Sequence, residues 1–216
     1  SPGGGGDDGL LIQANGTSTI IASVTSSTFS NNEGDHFQWA TDGGASTGHL
    51  TFSGNTLTNN PGANSELFGG GITISPAGAS DLTFLVSGNN IQGNNQGGSI
   101  DVTVVSSTAA SLVQGTVSNN IVGTAGTALS GSAQAVGISA ELNGNGTLTV
   151  AIQNNQVYEW GGAYGIEIFS RTGTGAGGTL NATVTGNTVQ NPSNIVGVNS
   201  AIAIRLGTSA GTDQGR

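Results

Sequence analysis

The 216-residue chain contains no cysteine, no methionine and no lysine, and its only basic residues are Arg171, Arg205 and Arg216. Without cysteine there is no disulfide framework, no thiolate metal site and no thiol nucleophile. Three arginines against twelve carboxylates leave a formal charge of -9, which excludes the basic stripe that neutralises nucleic-acid phosphates and disfavours anionic lipid. Charged residues make up only 7% of the chain, and no stretch repeats apolar residues every three to four positions, so helices are not expected. No apolar run approaches the roughly 20 residues of a membrane-spanning helix. The opening SPGGGGDDG has neither a positive region nor an apolar stretch of the export-signal type.

What is present is glycine, at 39 residues, together with Ser, Thr and Asn. Such a composition reads as low complexity unless its apolar residues are ordered. They are ordered. LTFLV from Leu82, SIDVTVV from Ser99, LTVAI from Leu148 and YGIEIFS from Tyr164 alternate with a period of two, the pattern of strands that pack one face on a core.

A six-residue unit recurs: apolar, any, Gly/Asn/Ser, Asn/Ser, any, apolar. It reads VTSSTF from Val24, FSGNTL from Phe52, VSGNNI from Val86, VSNNIV from Val117, IQNNQV from Ile152 and VTGNTV from Val184, with spacings of 28, 34, 31, 35 and 32. An apolar alternation precedes it, as in Leu82-Phe84-Val86, Leu148-Val150-Ile152 and Leu180-Ala182-Val184. A second alternation follows, as in Ile72-Ile74, Ile100-Val102-Val104, Val136-Ile138, Ile166-Ile168 and Ile202-Ile204. Each repeat of roughly 32 residues thus holds three short strands and cannot bury its apolar face alone, so neighbouring coils stack. The prediction is an all-β, right-handed parallel β-helix of about six coils, with a β-sandwich as the alternative fold. Residues 1–9 read as a flexible Gly-rich arm, 10–206 as the β-helix and 207–216 as a tail.

The recurring bend residues Asn55, Asn89, Asn120, Asn155 and Asn187, with Ser27 in the first copy, predict a structural ladder of stacked amides. Asn also tolerates left-handed backbone and bonds nearby main chain. A polar ridge read by a glycan is the alternative.

These coils, rich in Gly, Asn and Thr from about Leu10 to Leu206, resemble the parallel β-helix repeat segments of large secreted bacterial surface proteins, including adhesins and autotransporter passengers. The resemblance implies a secreted surface or matrix role and carries over no site residue; the function expected is that of a non-enzymatic extracellular structural protein, a filament subunit or the stalk segment of an adhesin. The segment GLLIQANGTST near the start and SAIAIRLGTSAGT near the end read as the same phase of the repeat, with no cap over either. Leu10, Leu11, Ile12, Ile202 and Ile204 are therefore expected at subunit-stacking edges, and either a longer solenoid or head-to-tail copies of the chain cover them; head-to-tail contacts that do not close build filaments.

Several clusters carry chemistry that competes with a purely structural reading. Asp101 and Glu167 face outward two coils apart, about 9.6 Å by the stacking distance, with Ser139 between and Glu141 and Arg171 on the same face. This is the one candidate carboxylate pair for a polysaccharide-cleaving module. NNEGDHFQW contains Glu33, Asp35, His36 and Trp39, with His49 beyond. It reads as a loop with Phe37 and Trp39 turned inward, as a calcium site from Glu33 and Asp35, or as a sugar-stacking surface. Otherwise no cofactor is expected. Tyr158, Trp160 and Tyr164 form the aromatic concentration, a glycan-binding patch if exposed and core filling if buried. Sequons at Asn15, Asn145 and Asn181 matter only in a eukaryotic secretory route. An ice-ordering face is not expected, because Thr-x-Thr pairs do not recur in phase.

Overall fold

The computed structural model describes residues 8–60, 69–94, 97–106, 111–172, 177–193 and 200–208. The predicted arm and tail lie largely outside them. Among the described residues there are nineteen strands and no helix, hence no helix long and apolar enough to cross a membrane.

The first coil runs through β1 (Leu11–Ala14), β2 (Thr19–Thr25) and β3 (Thr28–Ser30), and the second through β4 (Phe37–Thr41), β5 (Thr47–Ser53) and β6 (Thr56–Asn60). The third has β7 (Ile72–Ser75), β8 (Asp81–Ser87) and β9 (Asn90–Asn94); the fourth β10 (Ile100–Ser106), β11 (Leu112–Ser118) and β12 (Ile121–Val122). Then come β13 (Ile138–Gly144), β14 (Thr147–Gln153) and β15 (Gln156–Tyr158), followed by β16 (Tyr164–Thr172), β17 (Thr179–Thr185) and β18 (Thr188–Gln190), and finally β19 (Ser200–Thr208). Every third strand pairs in parallel, giving a first sheet of seven strands and second and third sheets of six each. This is a parallel β-helix. The β-sandwich, which needs antiparallel hairpins, is excluded.

Register follows the sequence repeat. Val24, Phe52, Val86, Val117, Ile152 and Val184, the first residues of the six repeat units, form one inward column of the second sheet. In the first sheet Phe37, Ile72, Ile100, Ile138, Ile166 and Ile202 form another. The alternation expected from Val136 is displaced by two residues. Strand β13 starts at Ile138, its inward residues are Ile138, Ala140 and Leu142, and Val136 is left partly exposed at the end of the long segment that joins β12 to β13.

The bend that links second and third sheets is made by a left-handed residue in every coil: Ser26, Gly54, Gly88, Asn119, Asn154 and Gly186, with φ between 49° and 67°. The recurring Asn is therefore not itself left-handed, as its tolerance of that geometry suggested. It is the next residue, and its amide rather than its backbone is what repeats. A second left-handed column, Asn31, Asn59, Gly93, Gly123, Glu159 and Asn191, turns the chain out of the third sheet.

The interior is one continuous apolar cluster with Phe37, Trp39, Phe52 and Trp160 as its largest members. Phe37 and Phe52 rings stand 4.5 Å apart between centroids. Size is balanced along columns: Gly115 stacks on Phe84, and a Cβ at Gly115 would lie 2.5 Å from the Phe84 ring. Each fully buried Val, Leu, Ile or Phe contributes about 1.5–3 kcal/mol. At the far end the columns lie open. Ile204 and Leu206 of β19 continue inward rows but are 68% and 75% exposed.

Candidate functional site

The polar chemistry of the molecule gathers on the outer face of the first sheet. Strand alternation turns Asp101, Ser139 and Glu167 outward in one row, and Thr103, Glu141, Phe169 and Arg205 in the next. All of these except Arg205, with Gly98 and the overhanging Ala135 and Val136, line a cleft of about 460 Å³. A Cβ on Gly98 would lie 2.6 Å from both Asp101 carboxyl oxygens, so only glycine leaves room for that carboxylate.

Each acid in the cleft already has a partner one coil further on. The Ser139 hydroxyl donates to Asp101, Arg171 pairs with Glu141 at 2.9 Å, and Arg205 pairs with Glu167. The three contacts bridge β10 to β13, β13 to β16 and β16 to β19 in succession. Phe169 lies beneath both arginines, with guanidinium carbons 4.9 Å (Arg171) and 4.2 Å (Arg205) from its centroid; Arg205 also sits 5.0 Å over Tyr164. Burial raises the Asp101 carboxyl above the usual range, and the bonds from Ser139 and Gly98 only partly offset it. Burial likewise raises Glu141 against the opposing pull of Arg171. The carboxylates expected as an acid–base pair thus sit together, but as members of a cross-coil brace.

Inside the molecule the five bend asparagines form an unbroken ladder. Each Nδ2 donates to the Oδ1 of the next, from Asn55 to Asn89, Asn120, Asn155 and Asn187, at 2.9–3.1 Å. Each Nδ2 also donates to a carbonyl one coil back, from Val24 O for Asn55 to Ile152 O for Asn187. Each Oδ1 additionally accepts the preceding coil's backbone N–H, beginning with Ser27. Every amide from Asn89 to Asn155 thus uses two donors and two acceptor positions, and Asn55 two donors and one, which is why they tolerate complete burial.

The other predicted sites separate. Glu33 is exposed while Asp35 is buried, its carboxylate accepting the Gly70 N–H at 2.7 Å. Among the described residues no group of three or more acidic or histidine side chains is placed to hold a metal ion. Phe37 and Trp39 are inward residues of β4. His36 is enclosed, and burial lowers its imidazole to about 4. His49 faces outward from β5, with Nδ1 2.6 Å from the Thr83 hydroxyl. Trp160 is buried at 1% exposure and Tyr164 is nearly so; only Tyr158 is partly open, with its hydroxyl on Gln156. The three aromatics therefore make no exposed stacking patch, because two of them, Trp160 and Tyr164, are buried and leave Tyr158 alone partly open. Among the expected edge residues, Leu10 and Ile12 pack on the core and Leu11 points outward.

Sequence reasoning missed two features. Arg205 was not placed beside Glu167, although the column from Ile166 to Ile202 puts it one coil on and diagonal to that acid. Glu159, between Tyr158 and Trp160, carries no sequence signal of its own. It is left-handed at φ 56°, is buried, and its carboxylate accepts the Gly126 N–H at 3.0 Å and the Ser193 hydroxyl at 2.7 Å. It thereby ties the long β12–β13 segment to the coil two rungs beyond; only the excess length of that insert signalled the need for such a tie.

No family model matches the chain, and neither a curated protein nor a solved structure does.

Proposed function

We propose that the chain is a non-enzymatic extracellular structural segment, a stiff β-solenoid that serves as the stalk of a bacterial surface adhesin or as a filament unit stacking head to tail. The observation that carries this reading is the fastening of successive coils by separate devices, the amide ladder within from the first coil to the sixth and the polar brace outside from the fourth coil onward. The acids best placed for polysaccharide cleavage are all committed to that brace. No cofactor is needed for such a role, and the negative charge with its three arginines suits neither nucleic acid nor anionic lipid. The open inward rows at β19 are surfaces that a further coil or a second copy would cover. A copy seated with its second and third sheets in register on β17 and β18 would bring its own β1 to the place of β19, so the filament form requires one of those strands to give way.

A reducing-end assay of the folded protein on neutral and acidic polysaccharides tests the non-enzymatic reading. No release of sugar ends is expected. Sustained release that disappears in Asp101→Asn would overturn it.

A further inference from the structure

The second sheet presents an outer surface that neither the ladder nor the brace uses. Two adjacent outward columns, one through His49, Thr83, Gln114 and Thr149, the other through Thr51, Leu85 and Thr116, flank a trough of about 660 Å³. It runs along the solenoid axis across all six strands, about 24 Å at the spacing between strands.

Its lining is selective in chemistry. None of the described carboxylates and neither described arginine borders it, although the whole chain carries a charge of -9. What does border it are hydroxyl and amide groups, each able to donate and accept, with the 79% exposed Ile21 and the 37% exposed Leu85 providing apolar surface between them. A charged polymer would find no counter-charge there. Sugar rings offer the complement, ambivalent hydroxyls at the rim and C–H faces between. A unit of an extended β-linked pyranose chain advances by about one strand spacing, so successive rings would meet equivalent positions of successive coils. The columns that flank the trough mix Thr with His, Gln and Leu, which argues against ordered water as the occupant.

We propose that this trough binds a neutral, extended polysaccharide laid parallel to the solenoid axis. The site goes beyond the structural role and does not depend on it: a stalk that binds no glycan remains a stalk.

Affinity electrophoresis of the native chain through gels containing a soluble neutral β-glucan or galactomannan, with polygalacturonate as the charged comparator, tests the proposal. Retardation by at least one neutral polymer and not by polygalacturonate is expected. Thr149→Glu, an outward change within the trough, should weaken retardation about tenfold or more, because a carboxylate must be stripped of water against the sugar. Thr188→Glu, outward on the third sheet, should leave it intact, and both variants should keep the parent's denaturation midpoint. No retardation by any neutral polymer overturns the proposal, as does retardation that Thr149→Glu leaves unchanged or that both variants weaken equally. Ice shaping abolished by Thr149→Glu, without glycan retardation, would reassign the face to ordered water.

Discussion

Asp35 holds its proton more tightly in the folded chain than any freely solvated aspartate. Burial is the main cause and raises its carboxyl from 3.8 to about 7, against the bonds from Thr73 and Gly70, with Asp8 and Asp101 adding repulsion. The folded state therefore binds more protons than the unfolded state between about pH 4 and pH 7, and this group's contribution is complete below that window and lost as pH rises through it. His36 acts in the opposite sense. Its imidazole, lowered to about 4 by burial, costs stability as pH falls below the ordinary range of histidine. Because His36 is common to both proteins, the comparison of Asp35→Asn with the parent isolates the carboxyl. The stability of the variant relative to the parent should climb by up to about 4 kcal/mol between pH 4 and pH 7.5 and stay level outside that window. Urea denaturation midpoints at pH 4, 5.5 and 7.5 measure it; a difference that does not change with pH would show that Asp35 titrates normally.

At the scale of elements, the amide ladder makes each bend depend on its neighbours. Asn120→Ala would leave the Asn89 backbone N–H and one of its two Nδ2 hydrogens without an acceptor, and two buried donor hydrogens left unmet at about 1–3 kcal/mol each give an expected loss of about 2–5 kcal/mol. Asn187→Ala, at the partly exposed end of the ladder, should cost less. The double change at Asn89 and Asn120 should cost less than the sum of its parts, because their mutual bond is lost only once. Denaturation midpoints at unchanged slope report these losses, and equal, additive effects at all positions would contradict a cooperative ladder. The strands and this ladder were legible because a coil repeat forces equivalent residues into columns: Val24 to Val184 in the sequence are the same six positions that stack in space. The early start at Val136 arose where that regularity fails, since the insert between β12 and β13 hides where the next strand begins although its inward phase, through Ile138, is as expected. The aromatics Trp160 and Tyr164 were ambiguous for a related reason. They lie at or just past a corner, where period-two alternation no longer says which side is in. The brace needed register as well as pattern, because Arg171 and Arg205 reach their acids diagonally across coils.

At the scale of the whole molecule the chain is a quasi-one-dimensional stack in which coils pack on their neighbours, with the β12–β13 insert reaching two coils on, where the Leu129 N–H donates to the Ser193 hydroxyl; it is stapled inside by asparagines and outside by the ion pairs of β13, β16 and β19. Such a stack resists load along its axis until a coil peels from the end. In the pulled chain, peeling is expected to start at strands whose inward rows lie exposed, as at Ile204 and Leu206 of β19. The most direct test is single-molecule pulling on the folded chain from its two termini. Resistance is expected, followed by lengthening in steps of about 110 Å, the extended length of one coil of roughly 32 residues, with the resisting force lowered by Asn120→Ala. Extension from the outset without resistance or steps, as for a disordered Gly-rich chain, would contradict it.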